Sequence, residues 1–571
     1  MPKSKHSKTK LIKKELIAKE EKIVELAKIA WSKALAEFFF PPLNEPNYVF
    51  DYTHLEGFYI DPEHKWQITM NLANTPLFKD DQEYIDYFYI ICLHEVSHYQ
   101  IIPYDGLIHA KLLRAAMSHV NQNFAPIIVN IFADLIIDTN LYKKYPSLIM
   151  WELKVTYEHI ISRESMSNFT KFLFRAYERM WDVEILKDDT LKEMDSLAEK
   201  VIKVILKNPE DESTWEKKVS TIAKYLNALI QDTFTLIGTG GMRDKAKEKR
   251  KSPGGAFIEI PKDVLEVMDN PLDNKNSDKL KEGNEDELRQ KAEEFAKEIP
   301  YSEFGGPARQ AGILVDASPL ATWYRGLAKN LIEIKIFEER PGGQLPIYPE
   351  VWRFGDKIEE LDIVQTLLTS PVIIPNITTR KWSFREGPGH LVEKQIPDLL
   401  IVLDSSGSMG WKYTSRSVRG RGPYHIALVA SFASLHYAAN KGAKFSVINF
   451  SNKADICNWT SNFQNAENTL LRYQGGGTVL PLKEIVNQCK KAEKSVLIFL
   501  ITDFGIYNWS KAKKIMVNLT ENHKIVGFFI GSTKIPENKF KDLLDKVTFY
   551  GIRDIKDLID LVIKEVKRYY S

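Results

Sequence analysis

Four short apolar runs in the C-terminal third of the chain limit its fold most: Leu399–Leu403, Phe445–Phe450, Val496–Thr502 and Ile525–Ile530. Segments of helical periodicity separate them, such as Ile426–Ala439 and Leu482–Ala492. A short run that is apolar throughout suits a strand buried on both faces, and repeated strand, helix, strand order requires a parallel sheet with helices on both sides. Residues 397–571 are therefore expected to form a doubly wound α/β domain. Ligands of such sheets sit outside the carboxyl ends of the strands, so candidate chemistry is sought there.

Directly after the first run stands Asp404-Ser405-Ser406-Gly407-Ser408-Met409, a carboxylate and two hydroxyls on one tight loop. Gly475-Gly476-Gly477-Thr478 supplies a further hydroxyl, and Asp503 follows the run that ends at Ile501-Thr502. All are hard oxygen donors of the kind that magnesium or calcium prefers. The constellation resembles the metal-ion-dependent adhesion site (MIDAS) of von Willebrand factor A domains. The resemblance implies magnesium ligated directly by Ser406, Ser408 and Thr478, with Asp404 and Asp503 acting mainly through water. Asp503-Phe504-Gly505 also spells a kinase metal motif, but no kinase catalytic loop or nucleotide-binding lysine context precedes it. An oxygen-rich site with no positioned base beside it suits capture of a partner's Asp or Glu as the last ligand. The basic stretch from Lys412 to Arg421 would surround that carboxylate with positive charge.

A second motif lies near the N-terminus. The helical pattern Tyr84–Cys92 runs into His94-Glu95-Val96-Ser97-His98. Positions four apart share a helix face, so both imidazoles can reach one zinc ion while Glu95, the candidate catalytic base, addresses the attacking water. Asn130–Asp138 places Asp134 and Asp138 in an otherwise apolar helical run, and buried acids there need a reason. We assign Asp134 as third ligand and Asp138 as the acceptor that fixes one histidine's tautomer, roles that could be exchanged. His109, His119 and His159 are alternative ligands.

At 571 residues the chain is too long for a single core, and its 44% hydrophobic and 27% charged residues suit a globular protein of several domains. Residues 1–40 read as a lysine-rich tail, disordered to about residue 10, and a helix from Leu11 to Phe40. Residues 41–237 read as one mainly helical, zincin-like domain, 238–300 as a charged linker with one transient helix, and 301–396 as a mixed platform segment without nameable chemistry. The glycine cluster at Gly238 lacks the Gly-Lys-Ser/Thr of a phosphate loop. A formal charge of +2 gives no global attraction to nucleic acid or anionic membrane. Three widely spaced cysteines exclude a disulfide framework, no run reaches the roughly 18 apolar residues of a membrane span, and no secretory signal is visible, so a cytoplasmic location is expected.

The His-Glu-x-x-His domain, the Ala133–Asp138 motif, the charged linker and the C-terminal A domain, in that order, resemble a group of metallopeptidase-like proteins of bacteria and archaea with a von Willebrand A-like domain. The resemblance covers the motifs and their order and leaves most of residues 140–390 unmatched. It implies a MoxR-type AAA+ ATPase as partner and a peptide or protein substrate. Gln100 stands where such helices commonly carry an apolar residue. Two functions follow as expectations: an adaptor that captures proteins through its metal, joined to a zinc peptidase, or an adaptor whose N-terminal metal is only structural.

Overall fold

The computed structural model describes residues 4–39, 43–51, 58–61, 67–103, 105–162, 166–186, 189–233, 235–237, 250–251, 257–259, 285–297, 299–338, 345–385, 397–411, 413–414, 417–418, 422–530, 543, 546–552 and isolated positions from 557 to 568. The chain divides into two compact units, Met1–Gly326 with Ser415–Val418, and Leu327–Thr414 with Arg419–Ser571. The segment 301–396, read from sequence as one platform, is thus shared between the units.

The first unit is mainly helical. Helix α1 spans Ser4–Glu37, starting seven residues before the expected Leu11 and covering most of the supposed tail. Lysine is a good helix former and no glycine or proline interrupts this stretch, so nothing local stops the helix. Its Ala27, Ala30, Trp31 and Ala34 are buried where it packs on α2, Asp81–Gln100. Strands β1 (Asn47–Val49), β2 (Phe58–Asp61) and β3 (Gln67–Asn71) form a small sheet with β3 central. Then follow α3 (Gly106–Met117), α4 (Ala125–Lys144), α5 (Pro146–Ile161), α6 (Asn168–Trp181), α7 (Asp195–Ile205) and α8 (Trp215–Thr233). Proline stands in the first turn of α4 and of α5, where its missing N–H costs nothing.

Helix α4 is apolar almost all round, the signature of a helix enclosed by others. Contrary to the sequence expectation, Ala125–Lys144 is long and apolar enough to cross a membrane, but 72% of that window is buried inside the unit. The expected linker also holds more structure than composition suggests. Strands β4 (Thr235–Ile237), β5 (Arg250–Lys251) and β6 (Phe257–Glu259) form an antiparallel sheet, and α9 (Glu285–Ala296) buries Ala292, Phe295 and Ala296. Those three recur at helical spacing within a highly charged sequence, which is why composition alone concealed a packed face. Helices α10 (Tyr301–Gln310) and α11 (Pro319–Glu338) follow.

In the second unit, β7 (Leu345–Val351) and β8 (Arg380–Arg385) pair antiparallel around an excursion that contains α12, Ile363–Thr369. Beyond it come β9 (Asp398–Asp404), the two-residue strand β10 (Tyr413–Thr414), α13 (Pro423–Asn440), β12 (Phe445–Phe450), β13 (Ala454–Thr460), α14 (Phe463–Leu470), α15 (Leu482–Lys491), β14 (Val496–Thr502), α16 (Trp509–Leu519), β15 (Lys524–Ile530) and β16 (Thr548–Ile552), while the two-residue strand β11 (Ser417–Val418) falls in the first unit. The main sheet has the order β13-β12-β9-β14-β15-β16, parallel throughout except for the antiparallel edge strand β13. Leu400 and Val402 join Ile485, Cys489, Ala512 and Met516 in one core, and α13 packs on β9 and β12. Strand order reverses direction between β9 and β14, and a crevice opens at such a switch point outside the carboxyl ends. Asp404 ends β9 and Asp503 follows β14, so both acids stand at this crevice.

Candidate metal centres

In the helical unit, α2 begins where the Asp80 side chain accepts hydrogen bonds from the backbone of Gln82 and Glu83, each at 3.0 Å. The helix then carries His94 and His98 on one face, with α4 packed against it. Their Nε2 atoms are 3.1 Å apart, and Asp134 Oδ1 lies 3.6 Å from the first and 3.4 Å from the second. Donors bound at about 2.0–2.2 Å to a tetrahedral ion stand roughly 3.3–3.6 Å from one another, which the two histidine–aspartate distances match and the His94–His98 distance falls slightly short of. The other ring nitrogens are engaged: His94 Nδ1 lies 2.7 Å from Asp138 Oδ1, and His98 Nδ1 lies 3.0 Å from the Ile102 carbonyl oxygen. Both acceptors require an Nδ1–H, which turns both Nε2 lone pairs toward Asp134. Three electron-rich atoms then face one point in a buried site, which a shared proton or a metal ion can satisfy. Asp134 Oδ1, buried, accepts no hydrogen bond among the described residues.

The charges of the pocket agree. Burial would lower the pKa of His94, yet the Asp138 and Asp134 carboxylates hold it well above its usual value. Burial would raise the pKa of Asp134, yet His94 and His98 hold it below the usual carboxylate value. Metal binding must displace the proton these groups share. Glu95 is buried on the same helix. Two further residues lie around the site without a sequence signal. Tyr177 on α6 donates its hydroxyl to Asp138 Oδ2 at 2.6 Å. Glu152 on α5 accepts from Thr156 Oγ1 at 2.7 Å, and its pKa is pushed up to about 7 by burial, with the Asp138 charge adding to the shift. Of the alternative ligands, His109 has its pKa lowered to about 4 by burial and by the neighbouring His98. The cluster that could hold a metal ion among the described residues comprises His94, His98 and Asp134, without His109, His119 or His159.

In the sheet unit, every residue of β9 is buried, down to Asp404. One carboxylate oxygen of Asp404 accepts from the Ser406 backbone N–H at 2.8 Å and the other from Thr502 Oγ1 at 2.5 Å. Burial raises the pKa of Asp404 against these hydrogen bonds, and the Asp503 charge adds to the rise. Each oxygen is thus engaged by one protein donor and keeps a further lone pair. Ser406 Oγ and Ser408 Oγ are 3.1 Å apart, close to the roughly 3.0 Å between neighbouring donors on octahedral magnesium.

Backbone hydrogen bonds clamp the loops together. Gly407 N–H donates to the Gly476 carbonyl at 2.8 Å, Gly475 N–H to the Ser405 carbonyl at 2.9 Å, and Tyr507 N–H to the Thr478 carbonyl at 2.9 Å. A Cβ on Gly505 would lie 3.5 Å from Asp503 Oδ1 and 3.7 Å from Thr478 Oγ1, so both oxygens face the space beside that glycine. Phe504 adopts a left-handed φ of 66°, unusual for a bulky residue, and its ring packs against Trp509, Phe529 and Phe549. Those contacts hold the strained turn that presents Asp503 and Gly505.

The sequence reading missed Thr502, hidden as the last residue of an apolar strand. It also missed Asn449, whose buried Nδ2 lies within hydrogen-bond reach of the Thr469, Leu470 and Arg472 carbonyls at 2.9, 3.3 and 2.8 Å. That amide fixes the segment before Tyr473, whose hydroxyl donates to the Ser406 carbonyl at 3.1 Å. The side chains of the basic stretch from Lys412 to Arg421 lie outside the described residues.

No family model matches the chain, and no curated protein matches it. Solved structures similar to it include the von Willebrand factor type A protein from Catenulispora acidiphila, at 17% identity over 30% of this chain and 42% of that one, TM-score 0.25. BatB from Bacteroides thetaiotaomicron is 14% identical over 30% of this chain and 99% of that one, TM-score 0.22. An aerotolerance-related membrane protein from Bacteroides fragilis NCTC 9343 is 12% identical over 30% of this chain and 99% of that one, TM-score 0.21. The chain thus spans less than half the length of the first of these proteins, and the likeness is to von Willebrand factor A-type structures over 30% of its own length.

Proposed function

We propose that this chain is a metal-dependent protein-binding adaptor of the von Willebrand A type whose helical unit carries a zinc peptidase centre, and that its partner is a MoxR-type AAA+ ATPase. The observation that carries the adaptor reading is the Asp404, Ser406, Ser408 cluster at the switch point of the doubly wound sheet. Ser406, Ser408 and Thr478 would hold magnesium, with Asp404 and Asp503 behind them. These neutral and water-mediated donors leave the cation's charge incompletely balanced, so a partner's Asp or Glu completes the shell. The test is a magnesium-dependent pull-down of the ATPase. Wild type should capture it and release it in EDTA, and Asp404→Ala should fail to capture it. Equal capture in EDTA, or by Asp404→Ala, would overturn the reading.

The His94, His98, Asp134 triangle favours peptidase chemistry in the same chain. Zinc supplies Lewis-acid activation of water and of a peptide carbonyl. Glu95 takes the proton of the attacking water, while Asp138, steadied by Tyr177, keeps the His94 tautomer. Glu95→Gln should keep bound zinc and lose cleavage of a casein substrate. Unchanged cleavage would remove Glu95 as base, and zinc-loaded wild type that cleaves nothing would leave the metal structural.

A further inference from the structure

Between Val351 of β7 and its partner Arg380 of β8 the chain makes an excursion of unusual surface character. Of the nineteen large hydrophobic side chains exposed among the described residues, ten fall between positions 354 and 377. Phe354 and Leu368 are 74% exposed, Val364 66% and Ile377 63%. From Ile363 to Thr379 the sequence holds no charged residue.

The excursion is nonetheless well built. Asp362 caps α12 by accepting from the Gln365 backbone at 2.9 Å and also accepts from Trp382 Nε1 at 2.9 Å. Trp352 Nε1 donates to the Lys357 carbonyl at 2.9 Å, and Thr378 Oγ1 to the Val372 carbonyl at 2.8 Å. Thr366 and Thr379 are buried while Val364, Leu368 and Val372 face outward, an inversion of the usual placement of polar and aliphatic groups. Hydrogen bonds therefore hold the aliphatic side chains out, and the exposure is a property of the folded segment.

Together the ten side chains leave on the order of 900 Å² of apolar surface, against roughly 300–600 Å² for the largest patch on an ordinary monomer. We infer that this excursion is the surface through which two copies of the chain associate. Its area matches one partner's share, about 800 Å², of a stable interface, and its aliphatic composition is that of a permanent contact between like subunits. The rim supports a second copy in particular. Arg353 and Lys357 are exposed beside Glu359 and Glu360, so across a two-fold axis the bases of one copy can oppose the acids of the other. A surface of one sign, such as an anionic bilayer or nucleic acid, would meet charges of both signs, since Lys381 also stands here among Glu350, Asp356 and Glu360.

The test is the mass of the full-length chain by sedimentation equilibrium at about 10 μM. Wild type should give twice the 65.7 kDa of the single chain. Val364→Glu with Leu368→Glu should weaken association at least about a hundredfold and return the single-chain mass with an unchanged far-UV circular dichroism spectrum. Phe354→Ser with Ile377→Ser, milder in charge, should do the same. A wild type that stays at 65.7 kDa over this range, or a dimer indifferent to both variants, overturns the inference. Flotation of a monomeric wild type with phosphatidylcholine vesicles would overturn it in favour of a lipid surface.

Discussion

The candidate metal centre on α2 and α4 shows how a single proton position can decide ligation. His94 could bind a metal through Nε2 only while Asp138 holds its Nδ1–H, and Tyr177 engages the second oxygen of that carboxylate. Loss of such supporting hydrogen bonds commonly costs about 10–100-fold in metal affinity. We predict that Tyr177→Phe weakens zinc binding about tenfold and Asp138→Asn up to about a hundredfold in chelator competition, without loss of helicity. Full retention of affinity in both would show that the pocket orders His94 by packing alone. A second residue contributes to acid sensitivity. His425, buried in the first turn of α13, has its pKa lowered to about 4 by desolvation. The unfolded chain takes up a proton near pH 6.5 and the folded one does not, so this contribution is intact above pH 6.5 and lost as pH falls toward 4. The loss reaches up to about 3 kcal/mol, to order of magnitude. Urea midpoints of His425→Gln should fall less than those of wild type between pH 7 and 4.5, and parallel profiles would refute the assignment.

At the level of elements, packing overrules local preference in both directions. Gly326 lies inside α11, where helix propensity alone would favour alanine by about 1 kcal/mol. A Cβ there would stand 2.5 Å from the Glu293 carbonyl and 2.6 Å from Ala296 Cβ, both in α9. Backbone cannot swing aside as a flexible side chain can, so the overlap wins. Gly326→Ala should destabilise the chain by about 1–3 kcal/mol, read as a lower urea midpoint, and a stabilised variant would mean that α9 and α11 pack less tightly. The same balance explains what the sequence disclosed. The strands Leu399–Leu403, Phe445–Phe450, Val496–Thr502 and Ile525–Ile530 were legible because burial on both faces leaves no polar residue to blur the pattern. Strands β13 and β16 were not, since edge positions mix polar and apolar residues. Helix α9 was hidden by its charged outer face, and the helix start at Ser4 by a lysine composition that solvated tails share. The spacing of His94, His98, Asp134 and Asp138 pointed to one pocket because helical periodicity fixes relative positions within each helix. Tyr177, Glu152 and Thr502 reach their sites from elements whose packing no local pattern encodes.

For the whole molecule, each of two compact units with its own core holds one candidate metal centre, and the two donor sets differ in kind. Imidazole and carboxylate are donors that suit zinc, whereas hydroxyls backed by carboxylates on loops suit magnesium. A ligand that binds only the folded state stabilises it by about 2.7 kcal/mol at a hundredfold excess over its dissociation constant. Applied to a single unit, that energy raises the melting of that unit and leaves the other in place, provided the units unfold as separate cooperative transitions. Calorimetry of the metal-free full-length chain should therefore resolve two endotherms, with zinc moving one upward and magnesium the other. His94→Ala should remove the zinc shift and leave the magnesium shift, and Asp404→Ala should do the reverse. Folding and metal binding are separated by the metal-free scans, against which each variant's own metal-induced shift is measured. A shift of both endotherms by zinc that survives His94→Ala would show that zinc acts elsewhere on the chain. A magnesium shift untouched by Asp404→Ala would remove the cation from the Asp404 loop, and with it the physical basis for capturing a partner's carboxylate there.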